Sequence, residues 1–242
     1  MKAYIDIALG RTDTILRELL EPMDESLAPT DEVFTKPPNE WEFNLILAAK
    51  IAQLELTGNK PETKMEMFLN WMYQDFKFAG AATVFASLYF SPKRESPLLK
   101  NLRSVKMDVR WSVLQNAAWD LTVIDSWLQQ AKHQHKNGKY WLLVSRDRPL
   151  LKVASILRGY EDITDDQIKD RIRSLFVEHW GSKSGLHLAQ TYIQLGQKLD
   201  DSARKQNRPT TPEKWKPLLE SLLGELLQGW DWKGTNPESL LH

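Results

Sequence analysis

A short apolar run near the middle of the chain does most to limit the possible folds. Tyr140 to Val144 is continuously apolar, follows the turn signal Asn137-Gly138 and is too short for a buried helix. It is therefore predicted to be a β-strand buried on both faces, as in a parallel sheet. Ser145 and Asp147 follow where this strand would end. Ligands of open α/β sheets bind at the carboxyl ends of the strands, so this edge is the predicted position of a functional site.

A second predicted strand opens the chain. Lys2 to Leu9 is apolar apart from Asp6, and a carboxylate in a buried strand is costly unless it is paired or binds a metal. Two further acids lie in predicted helices: Glu42 follows the cap signal at Asn39, and Asp120 lies in or beside an apolar stripe. Strands that alternate with helices predict an α/β fold around a central parallel sheet.

Helical periodicity extends over most of the remaining chain. The predicted helices cover residues 39–56, 64–78, 79–90, 111–134, 164–180, 184–199 and 215–232. A further helix is predicted after Asp147, with Pro149 in its first turn. Residues 59–100 are interpreted as a helical insertion into the α/β domain.

Four acids are predicted to converge, because the carboxyl ends of adjacent parallel strands lie at one edge. They are Asp6, Glu42, Asp120 and Asp147. Three or four carboxylates are the kind of ligand set that Mg²⁺ or Mn²⁺ prefers. Such an ion would lower the pKa of a bound water and stabilise the charge that develops on phosphate oxygens, as phosphodiester hydrolysis requires. The sequence therefore predicts a metal-dependent hydrolytic site.

Each of these acids also has a purely structural interpretation. The alternatives are a satisfied edge-strand acid for Asp6, a capping role for Glu42, a solvent-facing or Arg-paired position for Asp120, and an N-cap of the helix containing Pro149 for Asp147. At two positions a nearby acid is an alternative ligand: Glu40 competes with Glu42, and Asp125 competes with Asp120.

Three segments resemble the acidic motifs of PIN-domain nucleases. They are Ala3-Tyr4-Ile5-Asp6, Trp119-Asp120-Leu121 in an Ala-rich helix, and Leu142-Leu143-Val144-Ser145-Arg146-Asp147 with Leu150-Leu151 after it. The resemblance covers residues 1–158 and is strongest at Ser145-x-Asp147. It implies a three-layer α/β fold with a central parallel sheet. In that family the acids of these motifs bind Mg²⁺ or Mn²⁺ and cut RNA, and the corresponding residues here are Asp6, Glu42, Asp120 and Asp147.

The resemblance also implies a domain division and a biological role. A PIN-like nuclease domain would span residues 1–158, with the insertion at 59–100, and a helical C-terminal extension would span 159–242. Because the family includes toxins of toxin–antitoxin pairs, the predicted function is an endoribonuclease, with RNA favoured over DNA. It would act as a toxin or defence effector that an antitoxin or defence partner restrains, and a homo-oligomer is left open. The alternative is an inactive PIN-like scaffold that binds protein or nucleic acid through its added helices.

Other residues receive supporting roles. Ser145 would orient a metal ligand or its water. Arg146 and Arg148 flank the predicted site, and Lys93 and Arg94 lie in a basic loop. All four basic residues are candidates for contacts with RNA phosphates.

Composition limits the remaining function classes. Lys plus Arg equals Asp plus Glu at 32 each, so nucleic-acid binding requires a local basic patch. The chain has no Cys, which excludes disulfides, thiolate zinc sites and Cys nucleophiles. Because no signal-peptide pattern and no apolar run of membrane-spanning length is found, we expect a soluble cytoplasmic protein without membrane contact. Trp215, Trp230 and Trp232 are candidates for docking, either onto this domain or onto a partner.

Overall fold

Every regular element described in the computed structural model is an α-helix. The structure describes residues 40–93, 99–131, 143–158, 164–199, 209 and 211–228, which all belong to one compact unit. The helices in this part are α1 (Trp41–Leu56), α2 (Pro61–Gln74), α3 (Gly80–Phe90), α4 (Met107–Ala131), α5 (Arg148–Leu157), α6 (Asp165–Trp180), α7 (Ser182–Gln197) and α8 (Pro212–Leu227). No strand occurs among these residues. The predicted α/β class is therefore wrong, and so is the PIN-like three-layer fold around a central parallel sheet.

The predicted central strand is absent at those of its residues that the structure describes. Leu143 and Val144 lie outside any regular element. Val144 is 64% exposed, whereas a strand buried on both faces would hide it. A run of five apolar residues does not by its periodicity separate a strand from other structures. Tyr140 to Leu142 and the predicted N-terminal strand, Lys2 to Leu9, lie outside the described residues.

Helix α1 occupies the centre of the core, where the sheet was expected. The residues that are no more than 1% exposed include Leu45, Ile46, Leu47, Ala48, Ala49, Ile51 and Ala52. A helix that is apolar on all sides is stable only when other elements surround it, and α2, α3, α4 and α8 all pack against α1. The buried amide of Asn44 donates a hydrogen bond to Thr122 Oγ1 of α4, 3.1 Å away. The core is therefore built by helix packing.

Helix α4 is the element that positions the acids. It is 25 residues long, and its buried residues include Trp111, Leu114, Ala118 and Leu121, as the predicted apolar stripe requires. Asp120 and Asp125 lie at the margin of this buried face, and both are partly exposed. Despite the length of α4, none of the described helices combines the length and the apolar character needed to cross a membrane.

Helices from both sides of residue 158 contribute to the same core. α6 and α7 form a hairpin around Gly181, whose φ of 77° favours glycine, and α7 packs against α2 while α6 contacts α3. In α8, the ring of Trp215 lies 5.5 Å from that of Phe43 in α1. Trp215 thus docks onto this domain, whereas Trp230 and Trp232 lie outside the described residues.

Candidate functional site

Two of the four predicted acids lie close together. Asp120 is on α4, Asp147 immediately precedes α5, and the two helices pack against each other. Burial, and secondly the charge of Asp147, raise the pKa of Asp120 to about 7. At neutral pH the Asp120 carboxyl is thus close to half protonated, because its burial and, to a lesser extent, the charge of Asp147 oppose ionisation.

Asp147 has a structural role that is compatible with a ligand role. Its Oδ1 accepts a hydrogen bond from the backbone N–H of Leu150, 3.0 Å away, and caps α5. The N-cap interpretation of Asp147 is therefore confirmed. Its own backbone N–H donates to Ser145 Oγ at 3.0 Å, so Ser145 fixes the turn that presents the carboxylate. The side chain of Asp147 is exposed, and the cap engages one of its two oxygens.

The other predicted ligands do not join this pair among the residues that the structure describes. Glu42 lies in the first turn of α1 and is exposed to solvent, and no described contact joins it to Asp120 or Asp147. Asp6 lies outside the described residues, as does Arg94 among the predicted phosphate contacts. Sequence reasoning expected four acids at one sheet edge, and helix packing brings two of them together.

The predicted basic residues fall in two places. Arg146 and Arg148 stand on either side of Asp147, and both are exposed. Lys93 donates from Nζ to the backbone carbonyl of Glu178 in α6, 2.6 Å away. The two arginines are therefore adjacent in sequence to the acid pair, whereas Lys93 is bonded to the last turn of another helix.

The two alternative acids, Glu40 and Asp125, meet at a second place. Burial raises the pKa of Asp125 and the charge of Glu40 adds to this, while the charge of Lys77 and a hydrogen bond from Asn44 oppose it. Lys77 Nζ lies 4.0 Å from Glu40 Oε1. Gln129 Nε2 donates to the other Glu40 oxygen at 3.4 Å. The Lys77 ammonium group thus interacts electrostatically with both carboxylates, Glu40 and Asp125.

These polar groups line one part of a cavity of about 660 Å³. Thr83 and mainly apolar residues from α3, α4, α5, α6 and α7 line the rest; the apolar ones are Gly80, Ala81, Val84, Leu128, Leu157, Ile168, Ile172, Leu175, Phe176 and Tyr192. A volume of this size is typical of pockets that bind small molecules. No local sequence pattern indicates the cavity, because its walls come from six separate segments of the chain.

A third cluster of acids was also missed by sequence reasoning. Glu62 and Glu66 of α2 and His187 of α7 bring one potential ligand atom each to within 4.8 Å of one another. His187 pairs with Glu66, and Ser184 Oγ donates to Glu62 Oε2 at 2.8 Å. The spacing of the two glutamates places them on one helix face. Only the packing of α7 against α2 supplies the histidine.

Comparisons with protein-family models, with curated proteins and with solved structures find no match to this chain. The resemblance to PIN-domain nucleases therefore stays a prediction. Functional inference has to start from the arrangement of the acids and of the cavity.

Proposed function

We propose that this protein binds Mg²⁺ or Mn²⁺ at Asp120 and Asp147 and hydrolyses phosphodiester bonds of RNA. The observation that carries the proposal is the packing of α4 against α5, which makes Asp120 and Asp147 neighbours: after burial, the charge of Asp147 is the second cause of the raised pKa of Asp120. The proposal does not require the sheet of the PIN fold, since two helix-borne carboxylates can serve as ligands on any scaffold that fixes them.

The two carboxylates fit such an ion. Magnesium is commonly held by one or two carboxylates, with water and substrate phosphates completing its coordination. The repulsion between Asp120 and Asp147 costs free energy in the metal-free protein, and a divalent cation between them would convert it into attraction. A predicted third ligand, Asp6, lies outside the described residues.

The residues around the pair have distinct roles in this proposal. A bound cation would activate water and neutralise charge on a phosphate. The backbone N–H of Leu150 and the hydroxyl of Ser145 hold Asp147 in place. Arg146 and Arg148 are exposed beside it, where guanidinium groups would contact the phosphates that flank the cleaved bond. Asp120 would enter the complex deprotonated.

The preference for RNA and the role as a toxin or defence effector rest on the sequence motifs. Resemblance to toxin nucleases favours RNA over DNA, and a restraining partner would protect the host cell. The proposed hydrolysis thus rests on Asp120 and Asp147, and the proposed biological role rests on the sequence motifs.

The direct test is RNA cleavage by the purified full chain with Mg²⁺ or Mn²⁺. Wild-type protein should cut a labelled single-stranded RNA, and Asp120→Asn and Asp147→Asn should each slow cleavage by about two orders of magnitude or more. Asp147→Asn is informative because asparagine caps a helix as well as aspartate does. The matched control is Asp108→Asn, which changes an exposed acid on the same helix.

Two results would contradict the proposal. One is the absence of metal-dependent cleavage of either RNA or DNA by folded wild-type protein, which would favour a non-catalytic protein that binds protein or nucleic acid through its helices. The other is full activity in Asp147→Asn, which would place any nuclease chemistry elsewhere in the chain.

A further inference from the structure

We propose that the cavity lined by Glu40, Lys77 and Asp125 binds a small organic cation, namely an ammonium group attached to an apolar chain or ring. This site is separate from the proposed metal site in its residues and in its ligand chemistry. It does not depend on the nuclease proposal.

The charges in the polar part of the cavity favour a cation. Among the described residues that line it, Glu40 and Asp125 are acids and Lys77 is a base, so its formal charge is negative when all three are ionised. The 4.0 Å between Lys77 Nζ and Glu40 Oε1 exceeds the 2.7–2.9 Å of a close charge-assisted hydrogen bond. Lys77 also lies 5.9 Å from the ring centre of Phe43. The ammonium group of Lys77 is thus the counter-charge for both Glu40 and Asp125, and it forms no close hydrogen bond with Glu40.

Asp125 is the carboxylate whose ionised form a second cation would stabilise. Burial raises the pKa of Asp125, the Lys77 charge and a hydrogen bond from Asn44 offset this only in part, and the Glu40 charge adds to the rise. An ammonium group has three donors and would bond a carboxylate that now receives a hydrogen bond from Asn44. Binding would therefore draw Asp125 into its ionised form.

The remaining walls define the other half of the ligand. They are mainly apolar, and Tyr192 is fixed by stacking on Phe78 at 4.9 Å and by contact with Phe176 at 6.4 Å between ring centres. A hydrated metal ion could bind the two carboxylates but would leave the apolar walls without a matching surface, and an anion would be repelled by the same carboxylates. An amphipathic cation satisfies both halves, because its charge meets the acids while its apolar body replaces water along the helices.

The test compares three probes of one shape by isothermal titration calorimetry: 4-phenylbutylamine, 4-phenylbutanol and 4-phenylbutyrate. We expect the amine to bind at least about tenfold more tightly than the alcohol, as one charge-assisted contact would provide, and the carboxylate to bind most weakly. Asp125→Asn preserves size and a hydrogen-bond acceptor for Asn44. It should therefore remove the preference for the amine and leave alcohol binding unchanged.

A second variant tests the apolar half independently of charge. Ile172 lines the cavity and is only partly buried, so Ile172→Trp should fill part of the space and weaken the binding of amine and alcohol alike. Asp108→Asn on the same helix as Asp125 is the control and should bind all probes as wild type does. The proposal is overturned if folded wild-type protein binds no amine, if amine and alcohol bind equally, or if Asp125→Asn retains the preference.

Discussion

The carboxyl group of Asp147 caps α5, and its charge adds to the larger effect of burial in raising the pKa of Asp120 on the neighbouring helix α4. The contact between α4 and α5 thus holds two negative charges near each other in a partly buried place. Such an arrangement costs stability in the metal-free protein. We take this cost to be the physical sign of a cation site, and it has measurable consequences.

The first consequence is that Asp120 lowers the free energy of unfolding by an amount that depends on pH. Its pKa rises from the ordinary 3.8 to about 7 on folding, so between these values the folded protein binds more protons at this residue than the unfolded chain does. The free energy of unfolding contributed by Asp120 therefore falls as the pH rises through this window. Asp120→Asn should be more stable than wild type at pH 8 by about 2–4 kcal/mol, measured by urea unfolding in EDTA.

The comparison between the two proteins isolates Asp120 from other groups that titrate. The advantage of Asp120→Asn should shrink steadily as the pH is lowered from 7 towards 3.8, because the wild-type carboxyl becomes mainly protonated in both states only below that value. An advantage that is the same at pH 5 and at pH 8 would mean that the folded protein does not shift this group.

A second prediction concerns the ion pair that joins the end of α1 to the start of α2. Lys64 Nζ donates to Glu55 Oε2 and to the Glu55 carbonyl, both at 2.9 Å, and both side chains are buried. Arg103 donates to the other oxygen of Glu55 at 2.9 Å. Lys64→Met leaves a buried carboxylate with a weakened set of partners and should lower the free energy of unfolding by about 3 kcal/mol.

The matched control for Lys64 is an exposed pair with the same distance. Lys169 Nζ lies 2.9 Å from Asp166 Oδ1, one turn apart on α6, and Asp166 is exposed to solvent. Lys169→Met should leave the urea midpoint almost unchanged because exposed ion pairs contribute little. Equal losses of stability in the two variants would show that burial does not account for the contribution of the Glu55–Lys64 pair.

A third prediction uses two glycines of α7 that have opposite surroundings. A Cβ on Gly185 would lie 2.6 Å from the carbonyl oxygen of Phe176, so Gly185→Ala should push α7 away from α6 at a cost of about 1–3 kcal/mol. A Cβ on Gly196 would meet nothing within 4 Å. Gly196→Ala should instead stabilise the helix by up to about 1 kcal/mol. Thermal unfolding measures both. A higher midpoint in Gly185→Ala would contradict the close packing at Gly185, and a lower midpoint in Gly196→Ala would contradict the open surroundings of Gly196.

The helices were predictable because their signals are local. Predicted helices with apolar stripes at 39–56, 64–78, 79–90 and 111–134 correspond to α1, α2, α3 and α4. Thr164 forms the predicted cap, with a reciprocal capping box to Gln167. Each of these elements is specified by spacing and end signals within one segment.

The fold class was not predictable from the same kind of signal. A run of five apolar residues was assigned to a buried strand, yet Val144 is 64% exposed, and the core is organised around α1 instead. The segment of α1 was predicted as a helix, but its central position depends on contacts with α2, α3, α4 and α8, which the spacing within one segment does not encode. The four acids were expected to converge at one edge of a sheet, and without a sheet among the described residues that reason for their convergence is lost.

The site was only partly predictable for a related reason. Asp120 and Asp147 were singled out by their settings, and α4–α5 packing brings them together. Asp125 and Glu40 were named as substitutes for other ligands, whereas the structure gives them a cavity of their own. The cluster of Glu62, Glu66 and His187 depends on contact between α2 and α7, which no local pattern encodes.

The most direct measurement of the central claim is the pKa of the Asp120 carboxyl, followed by carbon-13 NMR with the side chain labelled. In wild-type protein free of divalent ions the pKa should be about 7. Asp147→Asn should lower it while leaving it elevated, because burial is the larger cause, and Mg²⁺ should lower it further in wild type than in this variant. An Asp120 pKa near 3.8, or one that neither Asp147→Asn nor Mg²⁺ changes, would contradict the account.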